Sequence, residues 1–171
     1  MAEINIEAQK KEANGISNDL LQLVSFNIGE EEFGVDILKV QEINRMVDVT
    51  RVPNSPSFVE GVINLRGKVI PIIDLRLRLG LEQKEKDKDT RIIVVELDSK
   101  VIGFVVDNVN EVLRLNKSIT EPPPPMVSGI NSEYITSIGK LEDRLLILLD
   151  LEKILSTADK DRMSDAVNLA S

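Results

Sequence analysis

Apolar residues fall along this chain in short dense runs rather than in helical stripes. LLQLVSFNI, RIIVVEL, VIGFVV and LLILL are rich in Val, Ile and Leu and are bounded by turn-forming residues, a pattern that predicts β-strands. The first strand covers 20–28, and Asn27-Ile28-Gly29-Glu30 supplies the turn after it. Strands at 32–37 and 40–49 follow. Pro53 and Pro56 then end the pairing, because proline donates no ladder hydrogen bond. A hairpin is predicted from Val62-Ile63-Asn64-Leu65 through Arg66-Gly67-Lys68 into Val69-Ile70-Pro71-Ile72-Ile73. Residues 36–43 satisfy neither the strand period nor the helix period and read as strand or one helical turn.

The same order of elements occurs twice. Residues 23–45 align without gaps on 92–114 at an offset of 69, placing Gly34 on Gly103, Val40 on Val109, Glu42 on Glu111 and Arg45 on Arg114. Further on, VIPIIDL (69–75) matches LLILLDL (145–151) at an offset of 76, with Asp74 on Asp150. The seven extra residues of the second copy lie in a region that includes Pro122 to Pro125, read as a rigid connector. Two blocks matching in the same order favour duplication over chance likeness. Each copy carries about five short strands, those of the second at 91–97, 101–106, 109–115, 134–138 and 145–149. Asp74 and Asp150 each stand before a short helix-like segment and read as helix caps, with Gly80 suited to a helix stop.

The predicted fold is therefore mainly β: two small five-stranded β-barrel subdomains packed together, with short helices. The first repeat covers about 20–80 and the second about 91–155, with exchange of strands between them left open. Residues 81–90 link them and contain the charge run Lys84-Glu85-Lys86-Asp87-Lys88-Asp89, read as a solvated loop. Residues 1–18 and 157–171 read as mobile tails, with a weak helix at 163–169.

Composition removes many functions. Without His or Cys there is no imidazole base, no thiolate nucleophile, no disulfide and no usual zinc site. The net charge of −8 argues against nucleic acid and against an anionic membrane surface. The polar N-terminus is not a secretory signal, and no apolar run has the ~20 residues of a membrane-spanning helix. Cytoplasmic is the expected location. The scattered glycines make no phosphate loop. Carboxylates are the remaining acid-base groups, but Asp74 and Asp150 are better explained as caps than as a hydrolytic pair. No catalytic residue, cofactor or metal is expected.

Arg66 stands out at a hairpin tip beside Gly67. It is either a solvated turn charge or a partner contact, arginine being favoured at interface hot spots. Glu42 is its natural counter-charge if the third strand runs beside the hairpin. Read from the residues alone, the chain is a binding module rather than an enzyme.

Several segments resemble the CheW family of bacterial chemotaxis coupling proteins: EFGVDILKVQEI (32–43), TRVP (50–53), GVINLRG (61–67), IPIIDL (70–75) and DRLLIL (143–148). The likeness runs from about 20 to 155. Phe33 stands where relatives often have Tyr, and Ser137 where Gly is common. The resemblance implies two intertwined five-stranded barrels with a third apolar core between them, and no enzymatic activity. It implies an adaptor joining the cytoplasmic hairpin tip of chemoreceptors to the regulatory domain of the histidine kinase CheA, recruited to membrane arrays through protein contacts. An auxiliary coupler of another chemosensory pathway, such as surface motility, is the alternative. By motif, Val40, Glu42, Gly61 and Arg66 carry the family's partner-contact positions, and Ile43, Leu65 and Gly67 are added as neighbours. In the family, receptor binding uses a groove between the barrels and kinase contact a barrel end.

Overall fold

A computed structural model describes residues 4–14, 19–127, 129–155 and Asp159. The weak helix expected at 163–169 lies outside the described residues. The chain begins with α1 (Ile6–Asn14), followed by β1 (Leu20–Ile28), β2 (Glu31–Asp36), β3 (Val40–Arg45), β4 (Val59–Leu65), β5 (Lys68–Asp74) and α2 (Leu75–Arg78). Then come β6 (Arg91–Leu97), β7 (Lys100–Val106), β8 (Asn108–Asn116), β9 (Thr120–Glu121), β10 (Met126–Val127), β11 (Ile130–Asn131), β12 (Ile135–Lys140), β13 (Leu145–Leu149) and α3 (Leu151–Ile154). The ambiguous stretch resolves locally: residues 37–39 form one 3-10 turn, capped by Asp36 accepting from the Leu38 amide at 2.9 Å, and β3 starts at Val40.

The strands form two main sheets. The larger runs β8-β1-β2-β13-β12-β9 and the smaller β3-β6-β7-β5-β4, while β10 and β11 pair as a separate hairpin. Consecutive repeats therefore do not make the subdomains. The hairpin β1–β2 of the first copy belongs to the sheet of β8, β12 and β13, and β6–β7 of the second copy joins β3, β4 and β5. The exchange of strands left open above takes this form: β3–β5 share a sheet with β6–β7. The registers repeat with the offsets read in the sequence. Ile72 faces Gly103 in the parallel pair β5–β7, and Leu148 faces Gly34 in the parallel pair β13–β2. Asn44 faces Ile92, and Leu113 faces Leu23.

The larger sheet must curl. Its edge strands β8 and β9 are consecutive, so Asn116 and Thr120 lie at most ~14 Å apart along the chain. Six strands laid flat would separate their edges by ~24 Å. In the smaller sheet the chain after β3 does the same job, since Thr50 and Val62 exchange backbone hydrogen bonds of 2.9 and 2.8 Å.

Curling covers both faces of the inner strands, which explains their almost unbroken apolar runs. Along β6, Ile92 and Val94 face the core inside the smaller sheet, while Ile93, Val95 and Leu97 face a central core between the sheets. Along β13, Leu146 and Leu148 face the inside of the larger sheet, and Ile147 and Leu149 the centre. The central core is larger than either inner core and holds Phe26, Phe33 and Phe104. The two inner cores are aliphatic.

Asp74 and Asp150 are the caps the sequence predicts. Asp74 accepts from the amides of Arg76 and Leu77, and Asp150 from that of Glu152. The two halves are also clamped by charge. Arg76 makes a bidentate pair with Asp107 (2.8 and 2.5 Å), whose carboxylate also accepts from the Gly29 amide. Glu152, 76 positions after Arg76, pairs instead with Lys39 at 3.0 Å, although the equivalent of Asp107 is Leu38. The Arg78 guanidinium lies 5.1 Å from the Phe58 ring centre and 5.2 Å from that of Tyr134, two residues themselves related by the repeat.

Two expectations change. The segment read as a mobile tail contains α1, whose Ile6 is buried in the central core. The charge run at 84–89 is not merely solvated, because Lys86 bonds to Glu60 and lies 4.0 Å from the buried Asp74 carboxylate. Burial raises the Asp74 carboxyl above its ordinary 3.8, against the pull of Lys86 and the cap amides. A carboxyl raised on folding costs stability where it is charged, and that cost vanishes as pH falls to the unfolded value.

Lys86→Glu is expected to lower unfolding free energy at neutral pH by roughly 1.5–3 kcal/mol. Its deficit relative to wild type should shrink on acidification, in urea titrations followed down to about pH 4. Gly61 has φ +149°, and a Cβ there would stand 2.1 Å from the Thr50 carbonyl oxygen. Gly61→Ala is expected to cost roughly 1–3 kcal/mol or more by the same measurement, since the neighbour is backbone and cannot swing aside.

Candidate functional site

Two local decisions build the site. The first is the β4–β5 turn. Leu65 faces Lys68, so Arg66 and Gly67 form a two-residue loop, and both have positive φ (51° and 85°). A turn of this kind favours Asn-Gly or Gly-Gly, so an arginine at its first position is a strained choice. Asn64 supports it by accepting from the Gly67 amide at 2.9 Å. The second is the irregularity in β3 between Val40 and Glu42, which shifts the register against β6.

These two features bring Arg66 onto Glu42. The guanidinium donates to the Glu42 carboxylate at 2.6 Å, and Asn44 donates to its other oxygen at 2.7 Å. Partial burial pushes the Glu42 carboxyl up, but the bonds from Asn44 and Arg66 and the arginine's charge outweigh it and leave the group below its ordinary 4.5. The pair spans the side of the smaller sheet where β3 and β4 do not share a ladder. Arg66 is three-quarters exposed and Glu42 only one-fifth. An exposed pair of this kind contributes ~0–1 kcal/mol, so it presents a shaped charge rather than holding the fold.

Glu42 and Arg66 lie on a cleft of about 580 Å³. Its walls come from β3 (Gln41, Ile43, Asn44, Arg45), from Arg91 of β6 and from Val109 of β8, so it opens where the two sheets meet. Residues 4–7 also line it. Arg45 and Arg91 face each other in the β3–β6 register, and like charges directly opposite are unfavourable. Arg91 is steadied by donating to the carbonyls of Lys88 and Thr90 at 2.8 and 2.9 Å.

The residues singled out from the sequence divide into three groups. Glu42, Ile43 and Arg66 meet in the cleft. Leu65 and Gly67 flank Arg66 at the hairpin tip, with Leu65 packed on the inner core of the smaller sheet. Val40 and Gly61 are buried and present no surface. The sequence reading missed Arg45, Arg91 and the N-terminal residues as cleft walls. Arg45 carried a signal as a residue repeated at Arg114, but nothing local places Arg91 opposite it.

Comparison with known proteins is decisive at this point. The CheW-like domain model matches residues 22–159. The chain belongs to the CheW-like domain family. It is 44% identical over 138 residues to the chemotaxis protein CheW of Klebsiella aerogenes, covering 81% of this chain and 83% of that one. It is 39% identical over 153 residues to CheW of Helicobacter pylori, covering 87% and 92%. The crystal structure of the scaffolding protein TtCheW from Thermoanaerobacter tengcongensis superimposes with a TM-score of 0.75 at 39% identity, covering 81% of this chain and 94% of that one. As a CheW-like protein, the chain is a non-enzymatic chemotaxis adaptor with a mainly β, two-subdomain fold. No described helix is long and apolar enough to cross a membrane.

Arg66→Glu places two carboxylates on the hairpin seam. Because the pair is exposed, the variant is expected to keep its circular dichroism spectrum and to lose no more than ~1 kcal/mol of stability in a denaturant titration.

Proposed function

We propose that this chain couples the cytoplasmic hairpin tip of chemoreceptors to the regulatory domain of the histidine kinase CheA. It works in the cytoplasm and reaches membrane arrays through these protein contacts. The observation that carries the reading is the cleft between the sheets, with the Glu42–Arg66 pair on its rim. Glu42, Ile43, Leu65, Arg66 and Gly67 form the contact surface. Val40 and Gly61 position it from within.

An adaptor needs two faces that do not compete, and the duplication supplies them. The turn equivalent to Arg66-Gly67 is Glu142-Asp143, and Glu111 is the equivalent of Glu42. Where the smaller sheet offers an arginine, the larger offers carboxylates, with Arg144 bonded to Glu32 and Asp143. Related shapes with opposite charge favour two different partners. A typical stable interface buries ~800 Å² on each partner, an area that two such faces can provide separately.

Receptor-dependent phosphorylation in a mixture of receptor fragments, CheA and this chain tests the reading. Arg66→Glu is expected to lower activation about tenfold or more while leaving the fold intact. Unchanged activation would remove Arg66 from the contact surface. The double variant Glu42→Arg, Arg66→Glu separates two roles. Recovery of activation would assign the pair an orienting function, and continued loss would assign Arg66 a direct contact with the partner.

A further inference from the structure

The N-terminal segment packs into the junction of the sheets and forms one wall of the same cleft. Ile4, Asn5, Ile6 and Glu7 line it alongside Ile43 and Val109, and Ile6 is 7% exposed within the central core. Ile4 is partly buried against the same core. Asn5 begins α1, accepting from the Ala8 amide through its side chain at 3.0 Å. Behind the first turn, the buried Gln22 of β1 donates to Gln9 at 2.7 Å. The fit is incomplete, because the Gln22 side-chain carbonyl oxygen is buried without a hydrogen-bond partner among the described residues. Such an orphan weakens the packing of α1 over β1.

We propose that the cleft is a helix-docking site in which the chain's own α1 is the resident occupant, and that a partner helix must displace it. This rests on the coupling role proposed above for the same cleft. The resident states the chemistry of the ligand. It is a helix whose first turn presents an aliphatic knob, as Ile6 does, beside a carboxylate, as Glu7 does, among Arg45, Arg66 and Arg91. An acidic, aliphatic-anchored helix of a partner protein satisfies the same walls. The like-charged Arg45–Arg91 pair is relieved by a carboxylate from either source. A competitor held in the same chain lowers apparent affinity by the fraction of time the cleft is open.

The absence of cysteine from the chain makes the test direct. A single Lys11→Cys substitution on the exposed side of α1 takes a spin label in the full-length protein. The label is expected to be immobilised, and to be freed by Ile6→Asp and by a saturating receptor-tip fragment. Ile6→Asp is expected to tighten binding of that fragment about tenfold (about 1.4 kcal/mol) despite a lower melting temperature from the loss of a buried Ile6, and Ile6→Ala to tighten it less. Binding that is unchanged or weaker in both variants overturns the proposal, as does a label that stays immobile when the fragment binds. If neither wild type nor variant binds the fragment, the coupling role fails. The proposal then fails with it only if the label is already mobile in the wild type or is not freed by an acidic, aliphatic-anchored helical peptide.

Discussion

The central core between the two curled sheets is the constraint on which everything else depends. Each inner strand carries two apolar faces, one turned into its own sheet and one turned toward the other sheet. Neither sheet can be solvated on its outer side without exposing Phe26, Phe33, Phe104 and the aliphatic residues around them. The halves therefore share one buried core. The cleft at their junction is thus set by core packing rather than by loop conformation. This is a sound place for a binding surface, because its geometry is held by the most buried part of the molecule.

Duplication followed by divergence gives the architecture its functional sense. The backbone pairings repeat with the sequence offsets, while the charges do not. Arg76 becomes Glu152, Asp107 has Leu38 as its equivalent, and the Arg66 tip becomes an acidic one. Arg78 has no charged equivalent, since the residue 76 positions on is Ile154. It lies between the paired aromatics Phe58 and Tyr134, where the two halves meet. A scaffold benefits from this arrangement. One body carries two repeat-related hairpin tips of different charge, and neither requires a reacting group.

Some of the candidate site was legible in the residues. The hairpin tip, its Gly67 and the Glu42 counter-charge follow from turn chemistry and strand order. The repeat of Arg45 at Arg114 was visible but did not mark it as a cleft residue. Burial was not legible at Val40 or Gly61. Val40 reads as any strand residue until the sheets are stacked, and Gly61 reads as a turn glycine until Thr50 is seen against its backbone. Lys86 sat in a run that looked solvated. Its link to Glu60 and Asp74 depends on a loop folding back over the end of β5, and no local pattern encodes that. The N-terminal helix was hidden for a similar reason. Its pattern is weakly amphipathic, and the cleft that receives Ile6 exists only after both sheets have formed.

The sequence by itself determined the strands, the turns, the two Asp caps and the twofold repetition, because these follow from local stereochemistry and from patterns a few residues long. It could not determine which copy of β1–β2 pairs with which copy of β5 and β8. The two copies present nearly the same apolar faces at equivalent positions, so exchanged and unexchanged pairings satisfy the same hydrogen bonds and bury the same kinds of residue. Only the tertiary structure breaks that degeneracy. In doing so it places Val109 of the second copy beside Ile43 of the first and creates the cleft between them.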